Sequence, residues 1–433
     1  MTPLTIGVLG ILLLFILMFL GMPLGWAFII VGFLGYGVAF NFDGALSLLR
    51  TVPYTTFSDY GLSVIPLFVL MGCIAYFGKL SEELYRSAYR TFGSFRGGLA
   101  MATIFACAVF SAVSGSSVAT AATMGKVCIP EMQRYKYDNA LATGCVAAGA
   151  TMDIMIPPSV ILIIVGLITE QSIGKLYLAG FIPGIIQALV FMVTVGILCW
   201  INPKIGPPGP KTTFKEKMIA LSKGWSALIL FVLVMGGLYF GVFDANEAAA
   251  VGAFVALLIA VAKRSISWTG FKAALADTTK TAAMIFLMIC GAFIFGYFLS
   301  VTGVSKYFGE FISGMGMSRY TILVIIIIIY LFLGAIMDEL GMLFITLPIF
   351  FPVILNLGFD PIWFGIMVVL VVQCGLMNPP VGMNVFVIKG VAPDVPLYTI
   401  YRGIIPFVIA DLFLIALLIL SPEIATFLPS RMK

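Results

Sequence analysis

The chain has 433 residues, of which 61% are hydrophobic and only 10% charged, against about 25% charged in an ordinary soluble domain. Uncharged stretches such as 4–20 and 60–78 fall in the range of about 17–25 residues that crosses about 30 Å of hydrocarbon as helix, so a soluble fold is excluded. A scattered net charge of +5 argues against nucleic acid, the absence of histidine removes any imidazole base or ligand, and seven cysteines without a CxxC pair offer neither a disulfide frame nor a zinc site.

The first apolar stretch, 4–20, lacks a basic leader and a small-residue cleavage site and reads as a retained helix. After it come a span at 24–40, a polar arm at 41–59, a span at 60–78 and a second arm at 79–96. A Gly/Ser-rich hairpin at 100–126, a broken span at 140–169 and a closing span at 176–200 complete a first half, residues 1–201. The loop 202–223 is rich in proline, glycine and lysine and serves as linker. The second half, 224–433, repeats the order: spans 224–242 and 246–262, arm 263–280, span 281–300, arm 301–319, hairpin 320–354, broken span 362–388 and closing span 404–420.

Internal matches support the repeat. FVLMGCIAYFG at 68–78 returns as FLMICGAFIFG at 286–296, an offset of 218, and Pro157-Pro158 returns as Pro379-Pro380, an offset of 222. Pro130 and Pro348 are 218 apart, and the spans that open the halves begin about 220 apart.

Five spans per half is odd, so the halves face opposite ways, and basic residues test this independently. Arm 79–96 holds Lys79, Arg86, Arg90 and Arg96, whereas its counterpart holds only Lys306 and Arg319. Arm 263–280 holds Lys263, Arg264, Lys272 and Lys280, against Arg50 alone in 41–59. Alternate threading places every basic loop, the linker included, on the cytoplasmic side and both termini outside. The expected fold is an all-α polytopic membrane protein: about ten transmembrane helices plus two re-entrant hairpins in two inverted-topology repeats, an architecture recurrent among transporters.

Four segments carry polar groups where lipid would be expected. SAVSGSSVAT, 111–120, suits a re-entrant tip whose turn is permitted by Gly115, although small residues also let helices pack closely. In GCVAAGATMDIMIPPS, 144–159, two prolines release upstream carbonyls, and Asp153 is an intramembrane carboxylate that faces a cavity or is hidden by a partner. At 334–339, Asp338 and Glu339 sit at the turn of the second hairpin, either as hard oxygen ligands for a cation or as solvated surface. GLMNPPVGMN, 375–384, adds Asn378 and Asn384, which can donate, accept or simply cap.

SGSSVATAATMG, AAGATMDIMIPPS, GAIMDELGML and NPPVGMNVFV together resemble the large membrane subunit of tripartite ATP-independent periplasmic (TRAP) transporters, and the resemblance spans essentially the whole chain. It implies an elevator-type symporter driven by Na+ as coupling ion, with no other cofactor and no enzymatic activity, in the bacterial inner membrane. It also implies two partners, a small four-helix membrane subunit and a soluble periplasmic substrate-binding protein. The cargo would be a small organic anion such as a C4-dicarboxylate, sialic acid or a sulfonate. By the resemblance, one sodium lies between Ser114, Ser116 and Asp153, Ile156, Pro158. A second lies between Gly334, Asp338 and Gly375, Asn378, Val381, with substrate near Ser117 and Asn384. Asp153 and Asn378 depart from the family's usual glycine or apolar residue and threonine. Two other readings compete: a passive anion channel, and an intramembrane aspartyl protease using Asp153 and Asp338, whose GxGD signature is missing here.

Overall fold

The computed structural model describes residues 2–78, 87–209, 213, 225–314, 316–380 and 382–432, and within them the regular structure is helical. The first half opens with α1 (Pro3–Phe19), capped by Thr2, then α2 (Leu24–Ala39) and α3 (Phe42–Ser58), capped by Asn41. After the 3-10 turn Tyr60–Ser63 comes α4 (Val64–Phe77). The first hairpin is α5 (Gly98–Ser114) and α6 (Ser117–Arg134); the broken span is α7 (Asn139–Met155) and α8 (Val160–Thr169); α9 (Ile173–Ile201) closes the half.

The second half follows the same order. It comprises α10 (Trp225–Tyr239), α11 (Ala245–Ala262), α12 (Trp268–Thr302) and α13 (Val304–Gly314). Next come hairpin α14 (Arg319–Gly334) and α15 (Glu339–Asn356), broken span α16 (Pro361–Gly375) and α17 (Met383–Val391), and α18 (Leu397–Leu420) with the short α19 (Glu423–Thr426).

Two boundaries differ from expectation. Arm 263–280 and span 281–300 form one 35-residue helix, α12. The first half is interrupted at the equivalent point because the Asp59 carboxylate accepts from Gly61 N at 2.7 Å and folds the chain into a tight turn; Asp277–Ile285 contains no glycine or proline to do this. The first hairpin extends to Arg134, with Pro130 inside α6, where sequence alone had ended it at 126. Six described helices of 18 residues or more are apolar enough to span, seven if α7 and α8, bent by 41°, count as one. The expectation of about ten spans includes α1, α2, α10 and α16, which run 15–17 residues.

Packing brings the halves together in matching pairs. α2 lies along α12 and α4 along α11; α6 packs on α17 and α15 on α8. At the centre, every residue of 141–155 on α7 and 362–375 on α16 is buried. Small residues let α7 approach closely, with Gly144 against the Gly403 backbone of α18. Large apolar side chains on the periphery, such as Phe19, Trp200 and Leu420, are exposed as lipid-facing residues should be. The described start of the linker is docked: Gly97 N donates to Gly206 O and Gly209 N to Gly93 O, both at 2.8 Å. Linker residues 210–212 and 214–223 and arm residues 79–86 fall outside the described residues.

Candidate functional site

The first hairpin turns at Gly115, whose φ of +68° is left-handed backbone that suits glycine. Ser116 then caps α6, its hydroxyl accepting from Ala119 N at 3.3 Å. Ser114 Oγ accepts from Thr120 Oγ1 at 3.0 Å, and the same threonine hydroxyl lies 3.5 Å from Asp153 Oδ1. The hairpin tip and the carboxylate of α7 are therefore neighbours, and Thr120 is the bridge. Asp153 is 2% exposed; its oxygens with those of Ser114 and Thr120 form the hard donor set that suits an alkali cation. Pro157-Pro158 ends α7, and Ser159 Oγ donates to the Ile154 carbonyl at 2.7 Å, satisfying one group that the prolines leave open. Ile156 and Pro158 are buried at this break, with Ile156 against Gly184 of α9.

In the second half the tip and the break touch through backbone. A Cβ on Gly375 would lie 2.7 Å from Gly334 Cα, so the two expected ion contacts meet without room for a side chain. Asp338 is the cap of α15, with Oδ2 accepting from Gly341 N at 3.2 Å, so the carboxylate has a structural task beside any ion. Asn378 sits in the turn after α16, where its N–H donates to Gly375 O at 2.9 Å. Val381 is outside the described residues.

A cavity of about 900 Å³ lies between the two hairpin tips, lined by Ser114, Ser116, Ser117, Asp153, Asp338 and Glu339 among others. It brings five of the twelve expected site residues into one space. Gly334, Gly375, Asn378, Ile156 and Pro158 are not part of its wall. Asn384 is not either: it is fully buried, with Nδ2 donating to Ala147 O at 3.4 Å, and its neighbour Met383 lines the wall instead. Ser117 lines the cavity with its hydroxyl unpartnered.

Two residues on the wall, Asp277 and Lys280, were not among the sequence candidates, and Glu339, one of the two acids of the second turn, joins them there. Glu339 lines it with Oε2 buried and unpartnered, and Asp277 and Lys280 face it from α12. Asp277 and Lys280 carried no signal in the sequence, since an i, i+3 charge pair also suits a solvated helix face.

The wall has a further regularity. The first residues of α6, α8, α15 and α17 all line it, so four helix N-termini meet at one space. Side chains of Ser116 and Asp338 cap α6 and α15, whereas α8 and α17, at equivalent places in the two halves, have no side-chain cap. Uncapped amides at the positive ends of two helices favour a negatively charged group.

Comparison with known proteins gives the family and the fold. The large permease protein DctM of the Pseudomonas aeruginosa C4-dicarboxylate TRAP transporter is 33% identical over 402 residues, covering 90% of this chain and 93% of the relative. The large permease protein SiaM of the Vibrio cholerae sialic acid TRAP transporter is 31% identical over 414 residues, covering 95% and 96%. In fold, the chain resembles the crystal structure of the Alcanivorax borkumensis YdaH transporter, with a TM-score of 0.67 over 87% of this chain and 88% of that one at 13% identity. The protease reading falls away with these relatives, which are transport permeases. Residues 11–424 match the family described as the tripartite ATP-independent periplasmic transporter, DctM component, and the chain belongs to that family of multi-pass membrane permeases.

Proposed function

We propose that this chain is the translocating subunit of a TRAP system that takes up a small organic anion, carboxylate or sulfonate, together with sodium. The observation that carries the reading is the composition of the cavity wall: four carboxyl groups, Asp153, Asp277, Asp338 and Glu339, with one lysine, Lys280, around four helix N-termini. The amide ends attract an anion, while the carboxyl groups repel it unless cations enter with it. Binding of anion and cation is then mutually dependent, which is the thermodynamic content of symport. Sodium is held at Ser114, Thr120 and Asp153 on one side and near Gly334, Asp338 and Gly375 on the other. The anion sits between the uncapped ends of α8 and α17, beside Ser117.

The halves act as inverted repeats in this reading. Gln187 of α9 meets Asp411 of α18, and Phe191 meets Phe407, so the two helices cross antiparallel. A shift of 220 residues exchanges one pair with the other, as a two-fold axis between the halves would do. The hairpins and broken spans, packed on each other across the halves, move as one body in an elevator cycle. The chain resides in the bacterial inner membrane with both termini periplasmic, beside a small four-helix subunit, and receives cargo from a periplasmic binding protein.

Uptake of labelled C4-dicarboxylate and sialic acid by proteoliposomes containing the chain, the small subunit and the binding protein tests this. Accumulation should require an inward sodium gradient and the binding protein. Sodium-independent equilibration would assign the chain to a passive anion channel instead.

A further inference from the structure

Outside the cavity, the closing helices of the two halves share a buried polar contact. Gln187 of α9 and Asp411 of α18 are both fully buried, and Gln187 Nε2 donates to Asp411 Oδ1 at 2.7 Å. Each residue keeps one further oxygen, Gln187 Oε1 and Asp411 Oδ2, that is buried and has no hydrogen-bond partner. An ionised aspartate is acceptor-only, and so is an amide carbonyl, so with a charged Asp411 both atoms would stay orphaned in an apolar setting. The aromatic contact of Phe191 with Phe407, ring centroids 5.3 Å apart, borders the pair one turn away on each helix.

Among the described residues, no cationic side chain acts on Asp411. Among the described residues that interact with Asp411, the other titratable group is the Cys374 thiol on α16. On α7 the carboxylate of Asp153 turns to the hairpin. Lys389 of α17 donates to the carbonyls of Pro393 and Val395. Lys175 of α9 and Glu423 of α19 are exposed near their helix ends.

A single hydrogen resolves both orphans. Placed on Asp411 Oδ2 and directed at Gln187 Oε1, it would join the existing Gln187 Nε2 to Asp411 Oδ1 bond in closing an acid–amide ring. We propose that Asp411 is a proton-binding site, neutral and occupied by a resident proton, and that the Asp411–Gln187 ring staples α9 to α18 where the two halves cross. The assignment is independent of the sodium and anion sites. It makes this intramembrane carboxyl a neutral joint that does not exchange its proton in each transport cycle.

The test is infrared spectroscopy of the purified full chain in lipid nanodiscs, with sodium titration of uptake in the reconstituted system. Wild-type protein should show the carbonyl stretch of a protonated carboxylic acid across the neutral pH range, missing from Asp411→Asn. Because asparagine closes an amide–amide ring of the same shape, this variant should fold and keep the wild-type sodium titration. Gln187→Leu should retain the band and move it to higher frequency, since the carbonyl loses its donor. Identical spectra for wild type and Asp411→Asn would overturn the proposal, as would a shifted sodium requirement in that variant, which would mark Asp411 as an ionised cation ligand. Failure of Asp411→Asn to insert, or an unmoved band in Gln187→Leu, would also count against the ring.

Discussion

The contact between Gly334 and Gly375 makes a strong claim about the second ion site, because only backbone is involved. In Gly375→Ala the new Cβ would stand 2.7 Å from Gly334 Cα, 2.9 Å from its carbonyl carbon and 3.3 Å from its oxygen. No side chain can rotate away, so hairpin tip and helix break must separate by about 0.7 Å to regain an ordinary carbon–carbon contact. Overpacking of this kind costs about 1–3 kcal/mol. Where that strain is released by opening the tip, it opposes the closure that brings the carbonyls to a cation. A loss of about 1.4 kcal/mol corresponds to a factor of ten, so the sodium concentration for half-maximal uptake should rise about tenfold. The assay is sodium-dependent uptake in proteoliposomes, with Gly296→Ala as the control, since a Cβ there meets nothing within 4 Å. If Gly375→Ala and the control gave the same sodium titration as wild type, the close approach would have no part in ion binding and the argument would fail.

Other expectations follow from single contacts. Asp338→Ala should lose about 1 kcal/mol of helix stability with the cap and also weaken sodium dependence, whereas Asp338→Ser should restore the cap but not the ion response; thermal melts and uptake read separately distinguish these. Thr120→Val keeps the volume but removes the hydroxyl that joins Ser114 to Asp153, and should raise the sodium requirement by roughly fivefold to tenfold, given about 1–1.5 kcal/mol for such a bond. Gly403→Ala drives a Cβ into the Ala140 carbonyl and should destabilise the α7–α18 contact by about 3 kcal/mol, seen as a lower melting temperature at every sodium concentration. Cysteines placed at Arg134 and Leu355 should react with impermeant reagents from opposite sides of the membrane; labelling from one side only would remove the inverted arrangement.

Much of this fold was legible in the chain because its decisive residues act locally. Gly115 permits a turn wherever the chain is apolar on both sides, and consecutive prolines such as Pro157-Pro158 or Pro379-Pro380 cannot continue a helix in any tertiary setting. Hairpin tips and helix breaks therefore appear at the expected positions, and membrane class follows from composition alone. The continuity of α12 was missed because the basic residues of 263–280 set that arm apart from the apolar span after it, whereas 277–285 holds no glycine or proline to break the helix. Which residues face one another across more than 200 positions was a different question. Asp277 and Lys280 on the cavity wall, Asn384 behind it, and Gln187 against Asp411 are products of how helices stack, since a side chain's neighbours depend on rotation and crossing of whole elements. Short-range sterics and hydrophobicity, both written in the order of residues, fix where the backbone bends and which segments belong in lipid. Which polar groups share a space follows from the packing of whole helices, because burial in a crowded membrane interior is a property of those helices together.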